Sequence, residues 1–311
     1  VFMAHMDVVF PDETELPLRV EGGRIYCPGV GDNTACLVCL LLAGKYIAGY
    51  VDSPRWREIR GENAPGLLLV CNAGEEGLGN LKGVHKICED YGDRMERFCT
   101  FDSSLSSIVD RAVGSKRFRV RVRTRGGHSY NNFGNDNAIA CLASLVGELY
   151  GIRVPEGGKT TYNVGMISGG TSVNTIAQEA EMLYEFRSDR RENLEYMERQ
   201  FMKVIDRGKS EGMDVSLEII GVRPCEGPVD PKRKQALSDW AHRVVEEMTG
   251  QAPKHCAGST DCNIPLSLGI PSVCVGSFRG AGAHTREEYV ETDSLEEGYK
   301  VAFGMIFGSR D

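Results

Sequence analysis

Seven acidic or histidine side chains stand where short apolar runs end or where glycines interrupt the chain. They are His5, Asp7, Asp32, Glu75, Glu76, Asp102 and His284. Imidazole nitrogens and carboxylate oxygens are ligands that Zn²⁺ and similar divalent cations take from proteins. Two cations about 3.5–4 Å apart need a bridging carboxylate and terminal ligands on each side. If the fold brings these side chains together, the set predicts a metal-dependent reaction.

The apolar runs that precede these side chains are predicted to be strands of one sheet. Residues 1–4, 67–72, 98–101 and 272–275 have strand length, and the second run is continuously apolar, as in a strand buried on both faces. Stretches with helical spacing alternate with them, which is typical of an α/β domain with a mostly parallel sheet. Ligands bind beyond the carboxyl ends of such strands, so we expect the seven side chains to line one pocket.

The pattern changes in the middle of the chain. Residues 116–124 alternate basic and apolar side chains, as in a strand with one solvated face. A helix, two strands, a long helix and a further strand follow, in the order βαββαβ, which favours a sheet with helices on one face. We therefore predict a catalytic domain formed by residues 1–113 and 226–311, with an α+β domain inserted at residues 114–225.

Composition excludes several classes of protein. The chain has 311 residues, 41% of them hydrophobic, with 36 basic and 44 acidic side chains and a formal net charge of −8. Such a chain is a poor candidate for binding nucleic acid or an anionic membrane. The longest apolar run, residues 35–43, is shorter than the roughly 18 residues that span a bilayer. We therefore expect neither nucleic acid nor membrane as a partner.

The cysteines indicate a reducing compartment. There are 11, an odd number, and most stand among apolar residues. Cys36 and Cys39 form a CxxC pair inside the run ACLVCLLLAG, where we expect both to pack in a helix. No secretory signal is recognisable, so we expect the cytoplasm. The chain begins at Val1 inside a predicted strand, and we expect that preceding sequence is missing.

Across essentially its whole length the chain resembles the M20 family of dinuclear zinc peptidases and deacylases. The resemblance rests on segments in one order along the chain: HMD, GVGDN, GEEG, Asp102, GGHS, VNTIAQEAEMLYEFRSD, GSTD and GAH. It implies that His5 and Asp102 hold one zinc ion, Glu76 and His284 hold a second, and Asp32 bridges them. Co²⁺ or Mn²⁺ would suit the same ligands.

The resemblance also implies roles for side chains beside the metals. Asp7 would orient the imidazole of His5. Glu75 would be the general base, taking a proton from the attacking water and passing it to the leaving amine.

Other implied roles fall in the inserted domain. His128 of GGHS would reach across a homodimer interface formed by residues 114–225 and stabilise an oxyanion in the partner's active site. Asn174 and Arg187 match substrate-binding positions. An equal alternative pairs Arg187 with Glu185 or Asp189.

The expected function is hydrolysis of a peptide bond in small peptides by metal-activated water. One alternative is an N-acyl amino-acid deacylase of the same family. The other is a catalytically inactive scaffold on the same fold, although the complete ligand set argues against it. The Gly29-Val30-Gly31 segment is not a full G-x-G-x-x-G motif, so a nucleotide-binding protein is disfavoured.

Overall fold

The chain divides into two compact units. The first consists of Val1–Ala112 and Glu226–Asp311, and the second of Val113–Cys225. The described residues of the computed structural model are 1–10, 15–54, 56, 58 and 66–308.

The described strands and helices are numbered in chain order. The strands are β1 (Phe2–His5), β2 (Arg19–Glu21), β3 (Arg24–Tyr26), β4 (Leu69–Asn72), β5 (Phe98–Phe101), β6 (Ser107–Ala112), β7 (Gly114–Arg123), β8 (Gly127–His128), β9 (Thr160–Gly169), β10 (Thr175–Ile176), β11 (Glu179–Ser188), β12 (Asp214–Arg223), β13 (Lys254–Gly258), β14 (Ser272–Val275), β15 (Gly280–Ala281) and β16 (Tyr289–Glu291). The helices are α1 (Cys36–Tyr50), α2 (Lys82–Tyr91), α3 (Ala138–Tyr150), α4 (Arg191–Ser210), α5 (Pro231–Thr249), α6 (Asn263–Ser267) and α7 (Ser294–Phe307).

The first unit contains a mostly parallel six-stranded sheet, as predicted. Its order is β13-β6-β14-β5-β1-β4, and β14, β5, β1 and β4 are parallel to one another. Strand β6 runs antiparallel to β14, and β13 is parallel to β6. Strands β6 and β13 were not predicted because charged residues interrupt both, as Asp110 and Arg111 do in β6.

Helices cover both faces of this sheet. All four residues of β1 are buried, and its three apolar residues alternate between two apolar clusters. Phe2 packs in one cluster with residues of α1, α5 and α7, including Leu40 and Trp240. Met3 packs in the other with residues of α2 and α6, including Val84. Strand β1 is therefore packed on both faces, which fixes the position of the loop that follows it at the carboxyl edge of the sheet.

A second, antiparallel sheet of four short strands also belongs to the first unit. Its order is β15-β16-β3-β2. Strands β2 and β3 form a hairpin whose turn contains Gly22 and Gly23, a pair of residues typical of such turns. Strands β15 and β16, with two and three residues, are too short to show an alternating pattern, so the sheet as a whole was missed.

The second unit has the predicted βαββαβ order. Strands β12-β7-β11-β9 form an antiparallel sheet, and α3 and α4 pack on one face. Stacked rings of Phe118, Phe201 and Tyr184 lie in the core beneath the helices. On the opposite face, the basic stripe of β7 pairs with glutamates, as Arg121 does with Glu181 at 2.5 Å. This face is a charged surface of paired ions.

One helical stretch of the described residues, Val30–Tyr50, has the length and composition of a membrane span. This stretch was not predicted from the sequence, because only the unbroken apolar run of residues 35–43 was considered and not the average hydropathy of a longer helix. One side of this stretch is buried in the core of the first unit, through Cys36, Cys39, Leu40 and Ala43. A buried core helix can have the same length and composition as a membrane span.

Candidate metal centre

His5 is the last residue of β1, and its imidazole is 1% exposed. Nδ1 lies 3.0 Å from the backbone carbonyl oxygen of Asp7, which accepts a hydrogen bond from it and leaves Nε2 facing the carboxylates. Nε2 lies 3.1 Å from Oδ1 of Asp32 and 4.0 Å from Oδ2 of Asp102, which follows β5. Among the described residues, Nε2 has no partner with hydrogen-bond geometry. Once it loses its proton, a buried ring nitrogen in this position suits a cation.

Asp32 lies on a kinked helical segment, Val30–Ala35, that leads into α1. The backbone of Asp32 and Asn33 leaves helical angles there. Two glycines permit this path, because Gly29 has φ +77° and a β-carbon on Gly31 would lie 2.7 Å from the ring of Phe278. The sequence therefore presents the Asp32 carboxylate at the carboxyl edge of the sheet.

The Asp32 carboxylate stands between two imidazoles. Its Oδ1 is 3.1 Å from Nε2 of His5, and its Oδ2 is 3.1 Å from Nε2 of His284. His284 lies on the loop between β15 and β16, and its Nε2 is also 3.4 Å from Oε1 of Glu76. The small antiparallel sheet, which was not predicted as a whole, therefore carries one of the two histidines.

Six of the seven predicted side chains form three overlapping groups of potential ligands. In each group one donor atom per residue lies within 4.8 Å of the others. The groups are His5, Asp32 and Asp102; His5, Glu75 and Glu76; and Asp32, Glu76 and His284. Nitrogen and carboxylate oxygen donors in this number fit divalent cations such as Zn²⁺.

The charges of the cluster shift its proton equilibria. Burial lowers the pKa of His5, but the facing carboxylate of Asp32 and the charges of Asp102 and Glu75 outweigh it and raise this pKa to about 10. Burial and the negative charge of Asp32 raise the pKa of Asp102 and of Glu76, each to about 8. Burial opposes ionisation of Asp32, but the two histidines lower its pKa overall. The cluster places four carboxyl groups around two imidazoles, a donor set that suits a cation once the protons are displaced.

Asp7 holds the loop that carries the two glutamates. Its Oδ1 accepts hydrogen bonds from the backbone N–H groups of Gly74 at 2.9 Å and Glu75 at 3.3 Å, and its Oδ2 accepts one from Glu76 at 2.9 Å. Its carboxylate is 3.7 Å from Nδ1 of His5, farther away than its own carbonyl. The carboxylate of Asp7 therefore acts mainly on the Glu75–Glu76 loop, whereas the resemblance implied that it acts on the imidazole.

The second unit contains the other three predicted site residues. His128 is exposed on β8, and its Nδ1 accepts a hydrogen bond from the backbone N–H of Tyr130 at 3.2 Å. Asn174 is exposed beside β10, which pairs with β8, so the two residues lie close together. Arg187 on β11 donates to both carboxylate oxygens of Glu185, at 2.8 and 3.1 Å. This ion pair is one of the two alternatives that the sequence left open.

Several polar residues near the centre were missed. Asn33 is buried and donates from Nδ2 to the carbonyl of Phe101 at 2.8 Å, which ties the Asp32 segment to β5. Asn72 at the end of β4 donates to Oδ2 of the buried Asp261 at 2.8 Å. Glu288 is also buried and contacts the Asp32 segment. Nothing in the sequence around these residues distinguishes them from exposed polar residues, so the sequence alone did not identify them.

Comparisons with known proteins agree on one family. The model of peptidase family M20/M25/M40 matches residues 1–307. A succinyl-diaminopimelate desuccinylase from Nitrosomonas eutropha is 25% identical, over 95% of this chain and 79% of its own length. A homolog of one p-aminobenzoyl-glutamate hydrolase chain, from Haemophilus influenzae, is 31% identical, over 76% of this chain and 59% of its own length.

A solved structure shows the same fold. A tripeptidase from Staphylococcus aureus superposes with a TM-score of 0.72 at 20% identity, over 98% of this chain and 79% of the tripeptidase.

Proposed function

The chain belongs to peptidase family M20/M25/M40, and we propose that it is a metal-dependent hydrolase that cleaves a peptide bond in small peptides. Family membership makes it a hydrolase of peptides or acyl amino acids. One observation supports the metal dependence most strongly. The two oxygens of Asp32 each lie 3.1 Å from the Nε2 of a different histidine, which is the arrangement of a carboxylate that bridges two cations.

The ligands are proposed in two sets that share Asp32. His5 and Asp102 would hold one ion, and Glu76 and His284 would hold the other. Zn²⁺ suits these nitrogen and oxygen donors, as do Co²⁺ and Mn²⁺. When bound, the two ions supply Lewis-acid activation of water and of the scissile carbonyl group.

Glu75 is proposed as the general base. Its side chain is 5% exposed and belongs to the potential ligand group of His5 and Glu76, so it faces the same space as the ligands. It would take the proton from the attacking water and deliver it to the leaving amine nitrogen. Asp7 supports this role because it holds the backbone N–H group of Glu75.

His128 is proposed to stabilise the oxyanion in the active site of the partner chain of a homodimer. Because its Nδ1 accepts from the backbone N–H of Tyr130, the proton of the neutral ring is on Nε2, which is then available as a donor. The ring is exposed on its own unit, as a residue that acts on another chain must be. Asn174, beside it, is proposed to contact the substrate. The ion pair with Glu185 favours a structural role for Arg187 over substrate binding.

The proposed homodimer forms through residues 114–225. Several large apolar side chains of this unit are exposed, among them Phe133 at 92% and Val173 at 102%. Strand β9 lies at the edge of its sheet and exposes Met166 and Ile167. Exposed apolar patches and unpaired strand edges are typical of contact surfaces. A second copy of this chain would cover both.

The curated relatives favour an N-acyl amino acid as the alternative substrate. One is named a desuccinylase, and the other is named for the hydrolysis of p-aminobenzoyl-glutamate. An acyl group and a peptide both present an amide bond to the same site.

A turnover screen decides between the peptidase and the N-acyl amino-acid deacylase. The metal-loaded protein is given free dipeptides and tripeptides, the same peptides with a blocked terminus, and N-acyl amino acids. Hydrolysis of free peptides is the expected result, and blocking the terminus that the enzyme recognises abolishes it. Turnover of N-acyl amino acids alone selects the deacylase. No turnover of any substrate by protein that holds metal would favour the inactive scaffold.

The cytoplasm is the proposed location. Seven of the 11 cysteines are buried, and Cys36 and Cys39 both pack inside the first unit. Burial raises the pKa of Cys36, Cys262 and Cys274 well above that of an ordinary thiol, so these side chains stay protonated and unreactive. Buried reduced thiols in this number are typical of a reducing compartment.

A further inference from the structure

Glu288 is a buried carboxylate with three backbone partners. The residue is 2% exposed. Its Oε2 accepts a hydrogen bond from the N–H of Gly29 at 2.6 Å, and its Oε1 accepts from Gly31 at 2.9 Å and Asp32 at 2.7 Å. Charged acceptors make short, strong hydrogen bonds of this kind. The carboxylate thus fixes the backbone of the segment that ends in Asp32.

The segment is shaped to admit this carboxylate. A β-carbon on Gly31 would lie 3.0 Å from Oε1 of Glu288, closer than ordinary contact allows. The N–H group of Asp32 is itself one of the three donors, so the position of the bridging residue depends directly on Glu288. Asp7 makes the same type of contact with the loop of Glu75 and Glu76. The Asp32 segment and the Glu75–Glu76 loop are therefore each held by a carboxylate, from Glu288 and Asp7 respectively.

Glu288 also links two ligands across the chain. It stands four residues after His284, at the end of the same loop, while its partners lie 256 to 259 residues away in sequence. The loop that supplies His284 therefore also supplies Glu288, which fixes the backbone of Asp32, the residue whose carboxylate faces His284. If Asp32 moves, its Oδ2 leaves Nε2 of His284 and its Oδ1 leaves Nε2 of His5.

We propose that Glu288 is a positioning residue that holds Asp32 in its bridging place and couples it to the His284 loop. This inference rests on the proposed function, because it assigns Glu288 to the binding of the two metal ions. Glu288 belongs to none of the potential ligand groups of the described residues, so its effect acts through Asp32. Removing an outer partner of a metal ligand typically lowers metal affinity by about 10- to 100-fold.

Two variants test this role. Glu288→Gln keeps the shape but replaces one acceptor oxygen with an amide donor that faces backbone N–H groups. The matched control is Glu287→Gln at the neighbouring exposed position. Co²⁺ affinity is measured by competition with a chelator, and the visible absorption of bound Co²⁺ reports the ligand geometry. We expect Glu288→Gln to bind Co²⁺ about 10- to 100-fold more weakly, with an altered spectrum, and Glu287→Gln to match the wild type.

Hydrogen exchange of the metal-free protein tests the clamp by itself. The amides of Gly29, Gly31 and Asp32 should exchange faster in Glu288→Gln than in the wild type, while amides of β1 and β5 keep their protection. If Glu288→Gln does not fold, Glu288→Asp keeps the charge but shortens the reach, and the same losses are expected. Wild-type Co²⁺ affinity, spectrum and exchange in the folded variant would overturn the inference.

The proposed function and the role of Glu288 fail on different results. If the wild-type protein binds no Co²⁺, the proposed function fails, and with it the metal-positioning role. If the wild type binds Co²⁺ and Glu288→Gln binds it equally well, only the role of Glu288 is lost.

Discussion

At the scale of single residues, the adjacent Glu75 and Glu76 are expected to differ in function. Oε1 of Glu76 lies 3.4 Å from Nε2 of His284, beside the Asp32 oxygen that faces the same nitrogen. Glu75 is more deeply buried and is held at its backbone by Asp7. We therefore expect Glu75→Ala to retain bound metal but to lose turnover by roughly 10²- to 10⁴-fold, which is the usual contribution of a general base.

The control is Glu76→Ala, which should lose both bound metal and turnover. Metal content by elemental analysis and steady-state hydrolysis are measured on the same preparations. Full activity in Glu75→Ala would contradict the assignment of the base.

Metal binding is expected to release protons near pH 7. The pKa of His5 is raised to about 10, and those of Glu76 and Asp102 are raised to about 8, so all three groups carry protons at that pH before metal binds. A cation requires their deprotonated forms, so its apparent affinity should rise steeply with pH up to about 8, where Glu76 and Asp102 lose their protons, and more gently up to about 10, where His5 does.

Titration calorimetry of the stripped protein in two buffers of different ionisation enthalpy measures the release. The observed heats should differ between the buffers. Equal heats in both would show that these ligands were already deprotonated.

At the scale of elements, the kinked segment before α1 is the part of the fold that most constrains the site. A β-carbon on Gly31 would lie 2.7 Å from the Phe278 ring and 3.0 Å from Glu288. Gly31→Ala should therefore destabilise the protein by about 1–3 kcal/mol, as overpacking does, and weaken metal binding as Asp32 shifts.

Gly49→Ala is the matched control, because no atom lies within 4 Å of the added β-carbon and the residue is helical. It should be neutral or stabilising by up to about 1 kcal/mol. Thermal unfolding compares the two variants. Equal stability of both would contradict the crowding at Gly31.

The sequence predicted elements with a clear apolar pattern well, whatever their length, and elements without one poorly. Helices α5 and α7 carry apolar residues at helical spacing, and Asp230 and Pro231 mark the start of α5, where the Asp230 side chain caps the first turn. Strands β15 and β16 carry no such pattern, since partners distant in sequence define them. His5 and Asp102 stand at the ends of well-marked strands, whereas Glu288 acts through backbone contacts that no spacing reveals.

At the scale of the whole molecule, the two units are proposed to cooperate between chains rather than within one. His128 belongs to the second unit and Glu75 to the first. If His128 acts on the partner's site, His128→Ala and Glu75→Ala are each inactive as homodimers, but a mixed dimer contains one site with both groups intact. Random exchange of the two variants should restore about a quarter of wild-type turnover, because half of the dimers are mixed and each has one working site.

Measured turnover of the two variants alone and after mixing tests this arrangement. Mixed samples that remain as inactive as their components would contradict action between chains. Fully active monomers, detected by sedimentation at low concentration, would contradict it as well.

The dependence of hydrolysis on bound metal tests the central claim most directly. The chelator-stripped protein is titrated with Zn²⁺ while bound ions and peptide turnover are measured together. We predict no turnover without metal and full turnover when two ions are bound per chain, as the shared carboxylate of Asp32 requires. Undiminished hydrolysis by the metal-free protein would contradict metal dependence.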